Sequence, residues 1–196
     1  MPKAIIVVGP PGAGKGTQAQ FIADHIGGVW YDTGTKIRER LAKGEDLGGR
    51  EYAQGGYASG KLLDPNKTLR MVLGDIKGVF ASRKSVVLSG SPRSMTEAFG
   101  SGEGGLIHLL HDTYGRENIF IFNIHIPIEE SIERNMKRKD SRVDDTPETI
   151  RVRYEDQYEK SVVPMIEAMK THGYQIIDID GTPPPGKVFE SIKKHL

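Results

Sequence analysis

Short apolar runs rich in β-branched residues recur along this chain, and between them apolar positions return every three or four residues. The runs fall at 4–8, 86–88, 119–126 and 175–179, with a weaker one at 29–31. Near-continuous apolarity over so short a stretch marks a strand buried on both faces, the setting of a parallel sheet. The helical period is clearest over 18–26, where Gly27-Gly28 stops it, and over 147–170. In the second of these, Thr146 is placed as N-cap with Pro147 in the first turn and Glu148 behind it. Pro164 is expected to kink or split that helix. Pro183-Pro184-Pro185 sets off a last helix over 188–196. There is no internal repeat. Alternating strands and helices predict a doubly wound α/β domain with its ligand at the carboxyl ends of the strands.

Composition narrows this picture. A chain of 196 residues fits one domain with an ample core. Lys and Arg number 27 against 26 Asp and Glu, so nothing calls for nucleic acid as a partner, and anion binding must come from local clusters. The absence of cysteine excludes disulfides, Cys-ligated zinc and thiol catalysis, and suits a cytoplasmic setting. The run at 4–8 is too short for a signal peptide or a membrane span, so no membrane partner is expected. Glycine clusters at 9–16, 44–60 and 100–105, where three functional or mobile loops are expected.

The strongest chemical signal follows the first run. Gly9-Pro10-Pro11-Gly12-Ala13-Gly14-Lys15-Gly16-Thr17 lies between a strand and a helix, the context of a phosphate-binding P-loop. Its glycines let backbone N–H groups converge on phosphate oxygens, the helix N-terminus adds a favourable dipole, and Lys15 supplies a mobile cation. Gly12, Ala13, Gly14, Lys15, Gly16 and Thr17 are therefore the candidate ATP-binding residues. A plain Gly-rich turn would not need the spacing, the lysine and the hydroxyl together.

The Gly-Lys-Gly-Thr form resembles the adenylate kinase branch of the nucleoside monophosphate kinases, in its short-lid form, and the likeness continues along most of the chain. Tyr31-Asp32-Thr33-Gly34-Thr35-Lys36-Ile37-Arg38 is similar to the family's Ser-Thr-Gly-Asp-Leu-Leu-Arg segment. That match implies that Thr33, Gly34 and Arg38 hold the acceptor monophosphate. Gly60-Lys61-Leu62-Leu63-Asp64 resembles the family's Gly-x-Leu-Val segment, which implies an acceptor-base contact at Leu63. Residues 86–93 resemble the family's strand and Asp-Gly-Phe-Pro-Arg: Gly90, Pro92 and Arg93 match, whereas Ser89 replaces an aspartate that helps order magnesium through water and Ser91 replaces an aromatic. Arg134, Arg138, Arg142 and Arg153, with Asp144-Asp145, resemble the family's lid arginines. Arg134 would stack on the ATP adenine, and Arg138, Arg142 and Arg153 would clamp the transferring phosphates. Arg134 and Arg138 are expected four apart on one helix face.

The resemblance implies a P-loop three-layer α/β/α fold with a five-stranded parallel sheet and one domain over 1–196. Its core would be 1–32, 62–137 and 155–196, with a mobile monophosphate-binding segment at 33–61 and a short lid at about 138–150. It implies Mg²⁺ bound with ATP, no protein metal ligand, and a monomer. Lys15, Arg93, Arg138, Arg142 and Arg153 are the expected catalytic set.

One position leaves the acceptor open. Adenine-specific members carry glutamine four residues after Arg93, and this chain has Glu97 there. An ionised carboxylate only accepts, which suits guanine better than adenine. Either specificity has shifted, or Glu97 is protonated, or it does not read the base. AMP is the favoured acceptor. GMP, CMP or UMP is the alternative, and a nucleotide-binding protein with weak catalysis is a third reading. Trp30, Tyr154 and Tyr158 are read as packing residues, and His108 and His111 as structural.

Overall fold

The structure is a computed structural model that describes residues 1–47, 63–101, 104–138 and 145–196. Five strands form one parallel sheet: β1 (Ala4–Val8), β2 (Val29–Asp32), β3 (Val86–Ser89), β4 (Ile119–His125) and β5 (Ile176–Asp180). Their order is β2-β3-β1-β4-β5, so the strand that feeds the phosphate loop is central. The weak run at 29–31 is an edge strand, which explains its thin apolar signal.

Every residue of β1 is buried, and its side chains alternate between two cores. Ile5 and Val7 join Ala19 and Ile22 of α1 (Lys15–Ile26) and Val188 and Ile192 of α9 (Pro185–Lys193). Ala4, Ile6 and Val8 join the other layer, with Val72 and Ile76 of α3 (Pro65–Ala81), Leu110 of α5 (Leu106–Tyr114) and Met165 of α8 (Val163–Thr171). The shorter helices are α2 (Thr33–Ala42), α4 (Met95–Phe99), α6 (Ile128–Met136) and α7 (Pro147–Val152). Among the described residues this is the expected three-layer α/β/α architecture.

Local chemistry sets the helix ends. Gly27, at φ 63°, closes α1 with its N–H on the Ala23 carbonyl. Thr146 caps α7 as expected, and Asp64 caps α3 by accepting from Asn66 and Lys67 N–H ahead of Pro65. The last helix begins three residues earlier than the apolar period suggests, because Pro185 is at home in a first turn. The long helix expected over 147–170 is one helical run in three parts: α7, a π-helical segment at Arg153–Val162, and α8. Pro164 has no N–H and its ring crowds the preceding turn, so the wider π spacing ahead of it is the form its break takes. Tyr31 Oη donates to Asp75 at 2.8 Å, and Arg40 pairs with the same carboxylate, which ties α2 to α3.

The expected mobile segment at 33–61 and lid at about 138–150 fall largely outside the described residues, as does most of the Gly-rich run at 44–60.

Candidate active site

The phosphate loop is shaped by three glycines that L-side chains could not replace. Gly9, Gly12 and Gly14 have φ of +147°, +76° and +83°. A Cβ on Gly9 would stand 2.4 Å from the Ile124 carbonyl oxygen, and one on Gly12 would stand 2.7 Å from Asn135 Nδ2. The loop is thus pressed onto β4 and α6. Ser131 Oγ secures it by donating to the Pro11 carbonyl at 2.7 Å. Gly14 is the N-cap of α1 and brings no side-chain oxygen, leaving the first-turn amides for an anion. Lys15 opens that helix and donates from Nζ to the Pro10 carbonyl at 2.8 Å.

These residues form one end of a cleft of about 470 Å³ at the carboxyl ends of the strands. Gly12, Gly14, Lys15, Gly16 and Thr17 line it from the loop; Gly34 and Arg38 from α2; Gly90 and Arg93 from the turn after β3. Arg134 reaches it from α6, Arg138 from the loop just after that helix, and Arg153 from the π segment. Six cations from five stretches of chain therefore face one space among the described residues. So many like charges repel unless an anion is to be placed between them.

Several of these cations are held by their own neighbours. Arg38 Nη2 donates to Thr35 Oγ1 at 2.7 Å. Arg134 donates from Nε to Glu130 at 2.6 Å and from Nη2 to the Thr182 carbonyl at 3.0 Å. Arg153 is 6% exposed, pairs with the buried Asp145 carboxylate, and donates from Nε to the Thr149 carbonyl at 3.3 Å. Gly90 leaves room for Arg93, since a Cβ there would sit 3.1 Å from its Nη2. The Arg93 carbonyl accepts from Ser161 Oγ at 2.7 Å, which fastens this turn to the π segment.

Four residues read from the sequence as nucleotide contacts do not line the cleft: Ala13, Thr33, Leu63 and Glu97. Ala13 and Leu63 are buried in the two cores. Thr33 is 2% exposed beneath Gly90, with its hydroxyl unpartnered. Arg142 lies outside the described residues, as do Ser141, Asp144 and residues 60–62. Arg134 and Arg138 are not on one helix face, because α6 ends at Met136 and Arg138 follows in the loop; both still reach the cleft.

The cleft also has walls that sequence reasoning missed. Trp30, read as a packing residue, is 38% exposed and lines it beside Asp32, Ser89 and Tyr158. Trp30 Nε1 donates to Ser89 Oγ at 2.9 Å, and Ser89 Oγ donates to Asp32 Oδ2 at 2.8 Å. Asp32 also caps α2 by accepting from Thr35 N–H at 2.7 Å. Burial alone would push the Asp32 carboxyl up; the bonds from Thr35 and Ser89, with the Arg93 charge nearby, outweigh it and hold the group below its usual range. The available signal was period 2 along β2, which puts Trp30 and Asp32 on one face.

Glu97 and Ser91, two positions where the chain departs from the resembling pattern, meet each other. Ser91 Oγ donates to Glu97 Oε2, and Arg93 N–H donates to the same oxygen at 3.2 Å. The carboxylate is only 3% exposed, and burial pushes its pKa up, against the bond from Ser91 and the Arg93 charge. A carboxyl raised in the fold is protonated in both states at low pH and costs stability as pH rises through its folded pKa. Glu97→Gln keeps an acceptor for Ser91 and removes that charge. The difference in melting temperature is expected to move in favour of the variant by a few degrees between pH 4 and pH 8. A flat difference in melts across that range would show that Glu97 carries no buried charge.

Fold and site together define a P-loop phosphotransferase, with a glycine-built anion cradle and converging cations. Comparison with known proteins agrees. The family model for adenylate kinase matches residues 7–174. An adenylate kinase of Thermus thermophilus is 30% identical over 99% of this chain and 97% of its own length. One of Phocaeicola vulgatus is 33% identical over 91% of this chain and 90% of its own. Adenylate kinase 1 of Synechocystis is 29% identical over 99% and 97%. The chain belongs to the adenylate kinase family and is a nucleoside monophosphate kinase, transferring a phosphoryl group between ATP and AMP. Among the described residues no helix is long and apolar enough to cross a membrane.

Proposed function

We propose that the cleft seats ATP on the phosphate loop and AMP on the α2 side, and that the γ-phosphoryl group passes directly between them: ATP + AMP = 2 ADP. The observation that carries this division is the convergence of Lys15, Arg38, Arg93, Arg134, Arg138 and Arg153 on one glycine-built cleft. In such a transfer charge spreads over the equatorial oxygens of the moving group, so positioning and electrostatic stabilisation are the whole task. Lys15 and the amides of residues 12–17 hold the β- and γ-phosphates. Arg134, braced by Glu130 and Thr182, lies along the adenine of ATP. Gly34, Arg38, Gly90 and Arg93 receive the AMP phosphate, and Thr33, buried beneath Gly90 with its hydroxyl unpartnered, stands directly behind them.

Arg138, Arg142 and Arg153 complete the catalytic set with Lys15 and Arg93. The cost of bringing these cations together without phosphate supports a lid, about 138–150, that closes on the loaded cleft and excludes water. Residues 33–61 move over the monophosphate, with Leu63 at their root. Mg²⁺ arriving with ATP suits the hard oxygen donors of this cleft, the Thr17 hydroxyl among them, and when bound it screens the phosphate charge. The setting we propose is a cytoplasmic monomer, which a cysteine-free chain suits.

Glu97 bears on the acceptor. Its carboxylate is engaged by Ser91 and Arg93 N–H rather than turned to the cleft, which supports AMP despite the missing glutamine. ADP formation with Mg·ATP and each of AMP, GMP, CMP and UMP tests this. AMP is expected to be preferred by at least an order of magnitude in kcat/KM, about what one well-placed base contact provides. Preference for GMP would return Glu97 to the base edge. Tight ATP binding without turnover on any acceptor would leave only a nucleotide-binding protein.

A further inference from the structure

Asp32 is the only acidic side chain among the described residues that line the cleft, where it faces six cations. A carboxylate there is unfavourable on its own terms, since it repels the phosphates for which the cations were gathered. It is not consumed in a tight ion pair either. The nearest arginine nitrogen in an ion-pair contact, Arg38 Nη2, is 3.9 Å from Oδ1, whereas its short contacts come from neutral donors, Thr35 N–H and Ser89 Oγ–H. Asp145 is the contrast: its carboxylate is buried directly against a guanidinium. Asp32 therefore keeps acceptor capacity on both oxygens, each of which can take a second hydrogen bond.

Its placement shows what that capacity faces. Asp32 lies beside Ser89 in the β2–β3 register, and Ser89 lies beside Val7 at the end of β1, where the phosphate loop begins. Two strand spacings, about 10 Å, separate the carboxylate's strand from the strand of the loop. That is too far for direct ligation of a cation bound to phosphates on the loop. It suits contact through the water that a small, hard divalent ion retains. Ser89 receives the Trp30 N–H and gives its own proton to Oδ2, which fixes the aim of the carboxylate as an outer partner fixes a ligand.

We propose that Asp32 is the positioning carboxylate for the divalent cation that travels with ATP, holding it through its hydration water from the end of β2. The proposal rests on the reading of the cleft as an ATP site and adds to it a residue that the phosphate loop does not contain. The competing explanation is that Asp32 only caps α2, and asparagine separates the two, because it caps a helix as well as aspartate does but carries no charge.

Mn²⁺ serves as the probe, followed by its electron paramagnetic resonance signal with the protein and saturating ATP. Asp32→Asn is expected to weaken Mn²⁺ binding to the protein–ATP complex by about 10–100-fold, the usual effect of removing an outer partner. ATP affinity measured in EDTA is expected to hold or rise. Exchanging the two neighbours, Asp32→Ser with Ser89→Asp, returns a carboxylate to the same pair of strand ends and is expected to restore most of the loss, which a capping role does not predict. Unchanged Mn²⁺ affinity in Asp32→Asn would overturn the proposal. So would an equal loss of metal-free ATP binding, or a loss confined to AMP affinity. If the parent protein bound no ATP even without metal, the reading of the cleft itself would fall instead.

Discussion

Replacing Lys15 with methionine is expected to lower turnover by about 10²–10³-fold while the fold and much of the ATP affinity survive. Lys15 is the first residue of α1, and methionine keeps the length and apolar stem of its side chain without the cation. The loop that surrounds it is set by Gly9, Gly12 and Gly14 and by the Ser131–Pro11 bond, none of which involves the lysine side chain. Ground-state binding therefore rests on the backbone cradle and the arginines, and what is lost is a charge that follows the phosphoryl oxygens as the transition state forms. The loss belongs in kcat more than in KM. ADP formation with a parallel thermal melt checks this. Undiminished transfer in a folded Lys15→Met protein would remove the phosphate loop from the chemistry.

The largest effect on stability is expected at Asp145. Its side chain is 2% exposed and that of Arg153 is 8% exposed, and the two are paired. Asp145→Asn leaves a buried guanidinium with the Thr149 carbonyl and, among the described residues, no carboxylate in an ion pair with it. Breaking a buried pair in this way costs about 3–5 kcal/mol, which in a chain of this length lowers the melting temperature by on the order of 10 °C. Arg153 also lines the cleft, so a bound nucleotide brings back a negative charge for it. A bisubstrate analogue joining two adenosines through a phosphate chain is therefore expected to raise the melting temperature of the variant by more than it raises that of the parent. Equal shifts would mean that Arg153 does not reach the phosphates.

What could be read from the sequence was what depends on near neighbours. The phosphate loop is a run of nine residues whose spacing carries its own geometry, and all five strands declared themselves by local apolarity. The cap at Thr146 follows from one side chain and the amides beside it. What was missed depends on pairing between distant segments. Trp30, Asp32 and Ser89 become one group only through the register of β2 with β3, nearly sixty residues apart in the chain. The π segment gives no period of its own, so a continuous α-helix was the natural reading until Pro164. Arg138 kept its place on the cleft although the helix expected to present it stops two residues earlier.

The contact between Ser91 and Glu97 has a consequence for how such chains diverge. An aromatic at 91 would displace the hydroxyl that Glu97 accepts from, and a serine at 91 facing glutamine would lose a charged acceptor. The two positions are thus physically coupled, and substitutions at them are expected to be non-additive in a double-mutant cycle. Scored one position at a time, Ser91 and Glu97 are two departures from the resembling pattern; in the fold they are the two ends of one hydrogen bond.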